Sequence, residues 1–169
     1  VKKAAEAAVA MGVDIFNVHA FGGSGMMRQA VGGAEMASIK KGIAMPKILA
    51  VTCLTSLTSD ILKEELAIRT KVEKQVVRLA KLARSAGVDG VVASPQEIKP
   101  VRRACGADFI ILTPGIRPAW AQKGDQKRTM TPEEAVRAGA DYIVIGRPVL
   151  EHASPRTALK MVIEEIEHA

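Results

Sequence analysis

Two arginines occupy positions in the sequence where an oxyanion could be bound. Arg117 lies in the segment Pro114-Gly115-Ile116-Arg117-Pro118, and Arg147 follows Gly146 in Gly146-Arg147-Pro148. Each segment follows a short apolar run typical of a buried parallel strand. Glycine lets backbone N–H groups approach an oxyanion, and the guanidinium fork matches phosphate oxygens. A single arginine would more often cap a carbonyl or lie in water, but two at neighbouring strand ends indicate a phosphate site formed by Arg117, Gly146 and Arg147.

A polar segment, residues 119–130, separates the two arginines and contains Gly124-Asp125-Gln126-Lys127-Arg128. Charge runs of this kind are usually solvated loops. The position between two arginine-bearing strand ends instead favours a segment that closes over a bound ligand. The amide of Gln126 offers both donors and an acceptor, so it can bridge a phosphate oxygen and the edge of a base.

Hydroxyl side chains follow another predicted strand, residues 47–52, in Leu54-Thr55-Ser56. They have two possible roles that the sequence leaves open. Thr55 and Ser56 either cap a short helix around residues 61–66 or hydrogen-bond to a carbonyl or imide nitrogen of a heterocyclic ligand. His19, which follows the predicted strand Ile15–Val18, is more simply a structural histidine with satisfied hydrogen bonds.

One pattern that positions these residues recurs four times along the chain. A helical stretch ends in Gly, and then come a small apolar residue, an Asp and a run of apolar residues. Glycine suits the left-handed position that ends a helix, and short apolar runs are typical of parallel strands buried on both faces. The turns are Gly12-Val13-Asp14, Gly87-Val88-Asp89, Gly106-Ala107-Asp108 and Gly139-Ala140-Asp141, and the runs after them are residues 15–18, 91–92, 109–112 and 142–145.

Helix start signals lie between these strands. Ser94-Pro95-Gln96-Glu97 and Thr131-Pro132-Glu133-Glu134 each place a capping hydroxyl, a proline at the first helical position and a glutamate three residues after the cap. Ser154-Pro155 opens the last helix in the same way, and residues 71–86 have apolar side chains at helical spacing. The alternation of helices and strands predicts a parallel sheet with right-handed crossovers.

Two architectures fit this alternation. The length of 169 residues favours a doubly wound open sheet, because a (βα)8 barrel typically needs about 250 residues. The polar segments just past the strand ends favour the barrel, where chemistry is kept at those ends, and no G-x-G-x-x-G loop follows the first strand. We therefore expect residues 1–169 to be the carboxyl-terminal part of a single (βα)8 barrel, supplying about five βα units.

Composition excludes several classes of protein. Apolar residues make up 48% and charged residues 25%, as in an ordinary globular domain. The net charge is +6, but only 3% of residues are aromatic and could stack on bases, so we expect no nucleic-acid partner. Cys53 and Cys105 are isolated, which predicts reduced thiols, no metal site and a cytoplasmic location. No apolar run reaches the roughly 18 residues of a membrane span, so no membrane partner is expected.

Five segments together resemble a known enzyme family, the bacterial orotidine 5′-phosphate decarboxylases. The resemblance covers essentially the whole chain and is most specific in the second half. The segments are Asn17-Val18-His19-Ala20, Ala50-Val51-Thr52-Cys53-Leu54-Thr55-Ser56, Thr113-Pro114-Gly115-Ile116-Arg117-Pro118, Gly124-Asp125-Gln126-Lys127-Arg128 and Gly146-Arg147-Pro148.

The resemblance implies an activity and a set of binding residues. The reaction would be decarboxylation of orotidine 5′-phosphate to uridine 5′-phosphate in de novo pyrimidine biosynthesis, with neither metal nor organic cofactor, in a homodimer. By the same resemblance, the phosphate would be held by Arg117, Gln126, Gly146 and Arg147, and Gln126 would also reach toward the pyrimidine. Thr55, Ser56 and Pro114 would lie on the pyrimidine side.

The sequence departs from the family at the catalytic motif, an alternation of Asp and Lys written D-x-K-x-x-D. The chain has one D-x-K, Asp125-Gln126-Lys127, but Met130 stands where the second Asp belongs. We interpret this match as coincidence and expect the catalytic residues upstream of Val1, with none in this chain. Two other hypotheses stay open: a sugar-phosphate aldolase or decarboxylase of the same superfamily, which would not need Thr55, and a non-catalytic module that binds a phosphate ligand.

Overall fold

The computed structural model describes residues 1–121 and 129–167, in which helices and strands alternate as the sequence predicts. The strands are β1 (Ile15–His19), β2 (Lys47–Val51), β3 (Gly90–Val92), β4 (Ile110–Thr113) and β5 (Tyr142–Ile143). The helices are α1 (Lys2–Ala10), α2 (Gly23–Lys41), α3 (Ser59–Glu64), α4 (Val72–Ser85), α5 (Ile98–Cys105), α6 (Pro132–Ala138), α7 (Arg147–Leu150) and α8 (Pro155–Glu167). Short 3-10 turns cover Ala20–Gly22 and Pro95–Glu97.

The five strands form one parallel sheet in the order β1-β2-β3-β4-β5. Each strand pairs with the strand that follows it in sequence, and the register runs, for example, from Ala50 to Val91 and from Val91 to Ile111. Sequential pairing without reversal is the topology of consecutive barrel units and differs from a doubly wound sheet, which changes direction at a switch point. The barrel prediction is confirmed by this order, although β5 is shorter than the apolar run 142–145 suggested.

The recurring Gly-x-Asp turns have a physical explanation in the structure. Their glycines all have positive φ angles, which a residue with a side chain rarely adopts: 74° at Gly12, 85° at Gly87, 84° at Gly106 and 102° at Gly139. Each glycine therefore ends one helix and turns the chain toward the next strand.

Two of the turn aspartates fasten neighbouring strands together. Asp89, just before β3, accepts hydrogen bonds from the backbone N–H of Ile48 at 2.9 Å and from Lys47 Nζ at 2.9 Å. Asp141, just before β5, accepts one from the N–H of Ile111 at 2.7 Å. Each carboxylate thus binds the start of the preceding strand and fixes the register at that end of the sheet.

The core lies between the sheet and the helices packed on it. Fully buried side chains come from the three inner strands, such as Ile48, Val91 and Ile111, and from helices, such as Val76 and Ile98. The outer strand β5 is different. Tyr142 in β5 and Val144 just after it are each 46% exposed, because in the described part of the chain β5 has a neighbour on one side only. These apolar groups leave an uncovered sheet edge, as expected for part of a barrel.

Two predicted helix caps are confirmed and one is wrong. Thr131 forms a complete capping box with Glu134, and the Ser154 hydroxyl accepts a hydrogen bond from the N–H of Thr157 at 3.4 Å. Ser94 precedes a 3-10 turn, with α5 starting only at Ile98, and its side chain makes no capping hydrogen bond. Among the described residues, no helix has both the length and the apolar character needed to cross a membrane.

Candidate functional site

The polar segments predicted to bind a ligand lie at one edge of the sheet. Because all five strands are parallel, their carboxyl ends share that edge. Thr55 follows β2, Pro114 follows β4 and Arg147 follows β5. The fold therefore brings together three segments that are far apart in the sequence.

Arg117 and Arg147 line one cavity at this edge, with a volume of about 350 Å³. The two strand ends thus bring both arginines to one space, and their role in binding a phosphate stays a prediction. The other residues lining the cavity are Trp120, Ala121, Pro148, Glu151 and His152.

Arg117 is held by the loop after β4. Only 9% of the residue is exposed. Its Nη1 donates a hydrogen bond to the carbonyl oxygen of Ile116 at 2.8 Å, and its backbone N–H donates to the carbonyl of Met130 at 2.9 Å. Ile116 and Met130 also form an isolated parallel β-bridge. These contacts fix the position of a nearly buried positive charge.

Arg147 is the first residue of α7, and Gly146 precedes it as the N-cap residue. In contrast to Arg117, Arg147 is exposed. A Cβ added at Gly146 would have no atom of the described residues within 4 Å apart from its chain neighbours. The glycine therefore leaves open space above the backbone, which suits the close approach of a ligand.

Three further residues of this cavity were not predicted from the sequence. The Trp120 and His152 rings meet edge to face, with centroids 5.6 Å apart and planes at 76°. The indole Nε1 of Trp120 is buried and has no hydrogen-bond partner within residues 1–121 and 129–167. Glu151 provides a negative charge beside the two arginines. Their positions in the segments after β4 and β5 could have marked these three residues as candidates for the site. None of the three belongs to a phosphate-binding motif.

A second cavity, of about 320 Å³, lies at the ends of β2, β3 and β4. Thr55, Ser56 and Pro114 all line it, so the fold brings these three residues together. Thr55 is half-buried and Ser56 is exposed. The remaining residues lining the cavity are Val51, Cys53, Leu54, Val92, Ala93 and Ser94.

The alternative in which Thr55 and Ser56 cap the next helix is wrong. Thr58 caps α3, because its Oγ1 accepts a hydrogen bond from the N–H of Ile61 at 3.3 Å. The Thr55 and Ser56 hydroxyls are not used for capping, which leaves them available to a ligand in the second cavity.

Ser94, which its spacing from Glu97 predicted to cap a helix, lines the second cavity. Its Oγ is buried without a hydrogen-bond partner in the described part of the chain, and the same holds for Oγ1 of Thr113 at the end of β4. An unpaired buried hydroxyl costs about 1–3 kcal/mol. Ser94 and Thr113 thus place two buried hydroxyls without partners among the described residues near the segment that begins with Pro114.

The two cavities differ in charge. The first contains Arg117, Arg147 and Glu151, whereas no charged side chain of the described residues lines the second. The segment 114–118 contributes to both, since Pro114 lines one and Arg117 the other. The arrangement can hold an anionic group at one place and an uncharged polar ring beside it.

Some predicted residues give no support to the site. Gln126 and Lys127 lie outside the described residues, so the bridging role of Gln126 stays a prediction. His19 is exposed and not a satisfied structural histidine, since its ring makes no hydrogen bond with the described residues. Burial raises the pKa of the Cys105 thiol, which makes it a poor nucleophile at neutral pH. No group of three or more potential metal ligands occurs in residues 1–121 and 129–167.

Known proteins resemble this chain along nearly its whole length. The family described as "Orotidine 5'-phosphate decarboxylase / HUMPS family" matches residues 1–162. The orotidine 5′-phosphate decarboxylase of Heliobacterium modesticaldum is 50% identical over 166 residues, which cover 98% of this chain and 68% of that protein. Its counterpart in Geobacter sulfurreducens is 54% identical over 159 residues, or 94% of this chain and 65% of that protein.

Solved structures agree with the sequence matches. The orotidine 5′-phosphate decarboxylase of Lactobacillus acidophilus superposes with a TM-score of 0.85 at 38% identity, covering 98% of this chain and 68% of that one. The enzyme of Pyrococcus horikoshii gives a TM-score of 0.67 at 28% identity, covering 98% and 67%. This chain thus spans about two thirds of the length of its relatives, between 65% and 68% for the sequence matches.

Proposed function

The chain belongs to the orotidine 5′-phosphate decarboxylase / HUMPS family, and from this premise we propose that the whole protein converts orotidine 5′-phosphate to uridine 5′-phosphate and carbon dioxide. The observation that carries the proposal is the convergence of Arg117 and Arg147 on one cavity beside an uncharged cavity lined by Thr55 and Pro114. A pyrimidine nucleotide has the same division, an anionic phosphate at one end and an uncharged polar ring at the other.

In this proposal the arginine cavity holds the 5′-phosphate. Two guanidinium groups neutralise a phosphate dianion, and open space at Gly146 admits its oxygens to the backbone. The family resemblance implies a further contact to the phosphate and the ring from Gln126, which lies outside the described residues. Thr55 and Ser56 offer hydroxyls to the carbonyl and imide groups of the pyrimidine, and Pro114 supplies an apolar wall.

The chemical step breaks the bond between C6 and the carboxylate carbon. Carbon dioxide leaves, the electron pair stays on C6, and a proton must then be added there. The family resemblance assigns that proton to a lysine held among aspartates, and we propose that this array belongs to the part of the protein outside this chain. The residues described here contribute binding. Phosphate binding far from C6 can still lower the barrier when it holds the ring in its reactive position.

We also propose two further features of the protein. The family resemblance supports a homodimer. Two isolated cysteines, one of them buried with a raised thiol pKa, suit a reducing compartment such as the cytoplasm.

The test is the absorbance change of orotidine 5′-phosphate on incubation with the whole protein. Thr55→Val keeps the shape of the side chain and removes its hydroxyl, so kcat/KM should fall by about twofold to tenfold, the equivalent of one neutral hydrogen bond. Thr58→Val is the matched control, because Thr58 caps α3 and lines neither cavity. It should leave kcat/KM unchanged.

Comparing Thr55→Val with Arg147→Ala separates this function from that of a sugar-phosphate enzyme with the same barrel. An enzyme without a pyrimidine substrate would depend on Arg147 but not on the Thr55 hydroxyl. No absorbance change with orotidine 5′-phosphate, together with turnover of a sugar phosphate, would replace the proposed reaction by that alternative.

A further inference from the structure

His152 lies just after α7 and lines the arginine cavity together with Arg117 and Arg147. It is half-buried, and its ring is positioned by the edge contact with Trp120. No motif in the sequence marks His152 as a ligand, and nothing in the proposed function so far uses it. The imidazole is nevertheless the third basic group that the described residues contribute to this cavity.

The backbone of Ser154 offers a hydrogen-bond partner to Nδ1 of the His152 ring whether the ring is neutral or protonated. Nδ1 lies 3.0 Å from the N–H of Ser154 and 2.9 Å from its carbonyl oxygen. In the neutral ring with its proton on Nε2, Nδ1 accepts from that N–H. In the imidazolium, Nδ1 donates to that carbonyl. Protonation of the ring therefore costs no hydrogen bond at Nδ1, and Nε2 carries a proton in both of these forms.

Three charged residues of the described chain line the cavity together with His152. They are Arg117 in the loop after β4, Arg147 at the start of α7 and Glu151, the C-cap residue of α7. From α8, the carboxylate of Glu165 accepts a hydrogen bond from the N–H of Ala119 at 3.1 Å, next to Trp120. The cavity lining therefore carries two positive guanidinium groups and the negative carboxylate of Glu151.

A bound phosphate changes this balance, because its negative charge favours the imidazolium. An ordinary histidine titrates close to neutrality, so a modest change in surrounding charge is enough to change its protonation. We propose that His152 is a third phosphate-binding residue, donating from Nε2, and that binding of the nucleotide phosphate is coupled to uptake of a proton by its imidazole. This inference rests on the proposed function, since it assumes that the arginine cavity is the phosphate site.

The experiment is calorimetric titration of the whole protein with uridine 5′-phosphate, near neutral pH, in two buffers with different heats of ionisation. The difference in observed heat gives the number of protons taken up. His152→Asn keeps a polar side chain that cannot titrate, and proton uptake should fall relative to the wild type. Near pH 6 its affinity should be roughly tenfold lower, the lower limit for a hydrogen bond to a charged group. Uridine, which has no phosphate, should bind equally to both proteins.

His19→Asn is the matched control, because His19 is an exposed histidine at the end of β1 and does not line the cavity. It should leave proton uptake unchanged. If His152→Asn retains wild-type uptake and affinity while Arg147→Ala weakens binding, the inference about His152 is wrong and the phosphate site stands. If Arg147→Ala also has no effect, the phosphate site itself is misplaced and both proposals fail.

Discussion

Replacing each cavity arginine by alanine should weaken nucleotide binding by different amounts. Arg117 is 9% exposed, and no carboxylate in the described part of the chain lies within ion-pair distance of it. Arg147 is exposed. Two unit charges 4 Å apart attract by about 4 kcal/mol at an effective dielectric constant of 20, but by only about 1 kcal/mol in water. The nearly buried arginine should therefore contribute more to phosphate binding.

The expected losses follow from measured charge pairs. Truncating one partner of a buried pair costs about 2–5 kcal/mol, so Arg117→Ala should lie in the upper half of that range and Arg147→Ala near its lower limit. Arg117→Ala also removes the hydrogen bond to the Ile116 carbonyl. Thermal unfolding must therefore show that the variant is folded before its affinity is interpreted.

Calorimetric titration with uridine 5′-phosphate and with uridine measures the phosphate contribution as the difference between the two affinities. Arg28→Ala is the control for the change in charge, since Arg28 is exposed on α2 and hydrogen-bonds only locally, to Ser24. Equal weakening of uridine 5′-phosphate and uridine would refute a phosphate contact. A larger loss for Arg147→Ala than for Arg117→Ala would refute the argument from burial.

Other predictions concern the scaffold and the D-x-K match. Arg102→Ala removes five hydrogen bonds to the turns that precede β4 and β5. It should lower the free energy of unfolding by about 2–4 kcal/mol. Arg103→Ala, at the exposed neighbouring residue, should change the free energy of unfolding little. Gly90→Ala would press a methyl group against the β4 backbone and should destabilise the protein by about 1–3 kcal/mol. Gly32→Ala, in open space on α2, should be neutral or stabilising. Denaturant unfolding measures the stability of all four variants. Lys127→Ala should keep the turnover of orotidine 5′-phosphate within about tenfold, or 1.4 kcal/mol of barrier, because its D-x-K setting lacks the second aspartate; a loss of several orders of magnitude would make it the catalytic lysine.

The order of the strands was predictable because its signals are local. Each Gly-x-Asp turn has a backbone conformation that favours glycine. In two of the four turns, at Asp89 and Asp141, the carboxylate also binds the neighbouring strand. The lengths of the strands were less predictable. Residues 144–145 have a strand composition but lie beyond β5, because pairing with β4, and not composition, decides where the strand ends.

The site was predictable where a motif marked it. Arg117 and Arg147 share a cavity because parallel strands carry their following loops to one edge of the sheet. His152 and Trp120 were missed because their role depends on a cavity that forms only when two loops meet. Ser94 was assigned to helix capping by its spacing from Glu97, but the 3-10 turn that formed there leaves its hydroxyl without a partner in the described chain.

The division into a phosphate cavity and a pyrimidine cavity can be observed in a crystal structure of the whole protein with uridine 5′-phosphate. We expect phosphate oxygens about 2.7–2.9 Å from the guanidinium nitrogens of both Arg117 and Arg147, as in charge-assisted hydrogen bonds. We also expect the pyrimidine ring in the cavity lined by Thr55 and Pro114. A phosphate bound elsewhere, or a pyrimidine ring between the two arginines, would contradict this division.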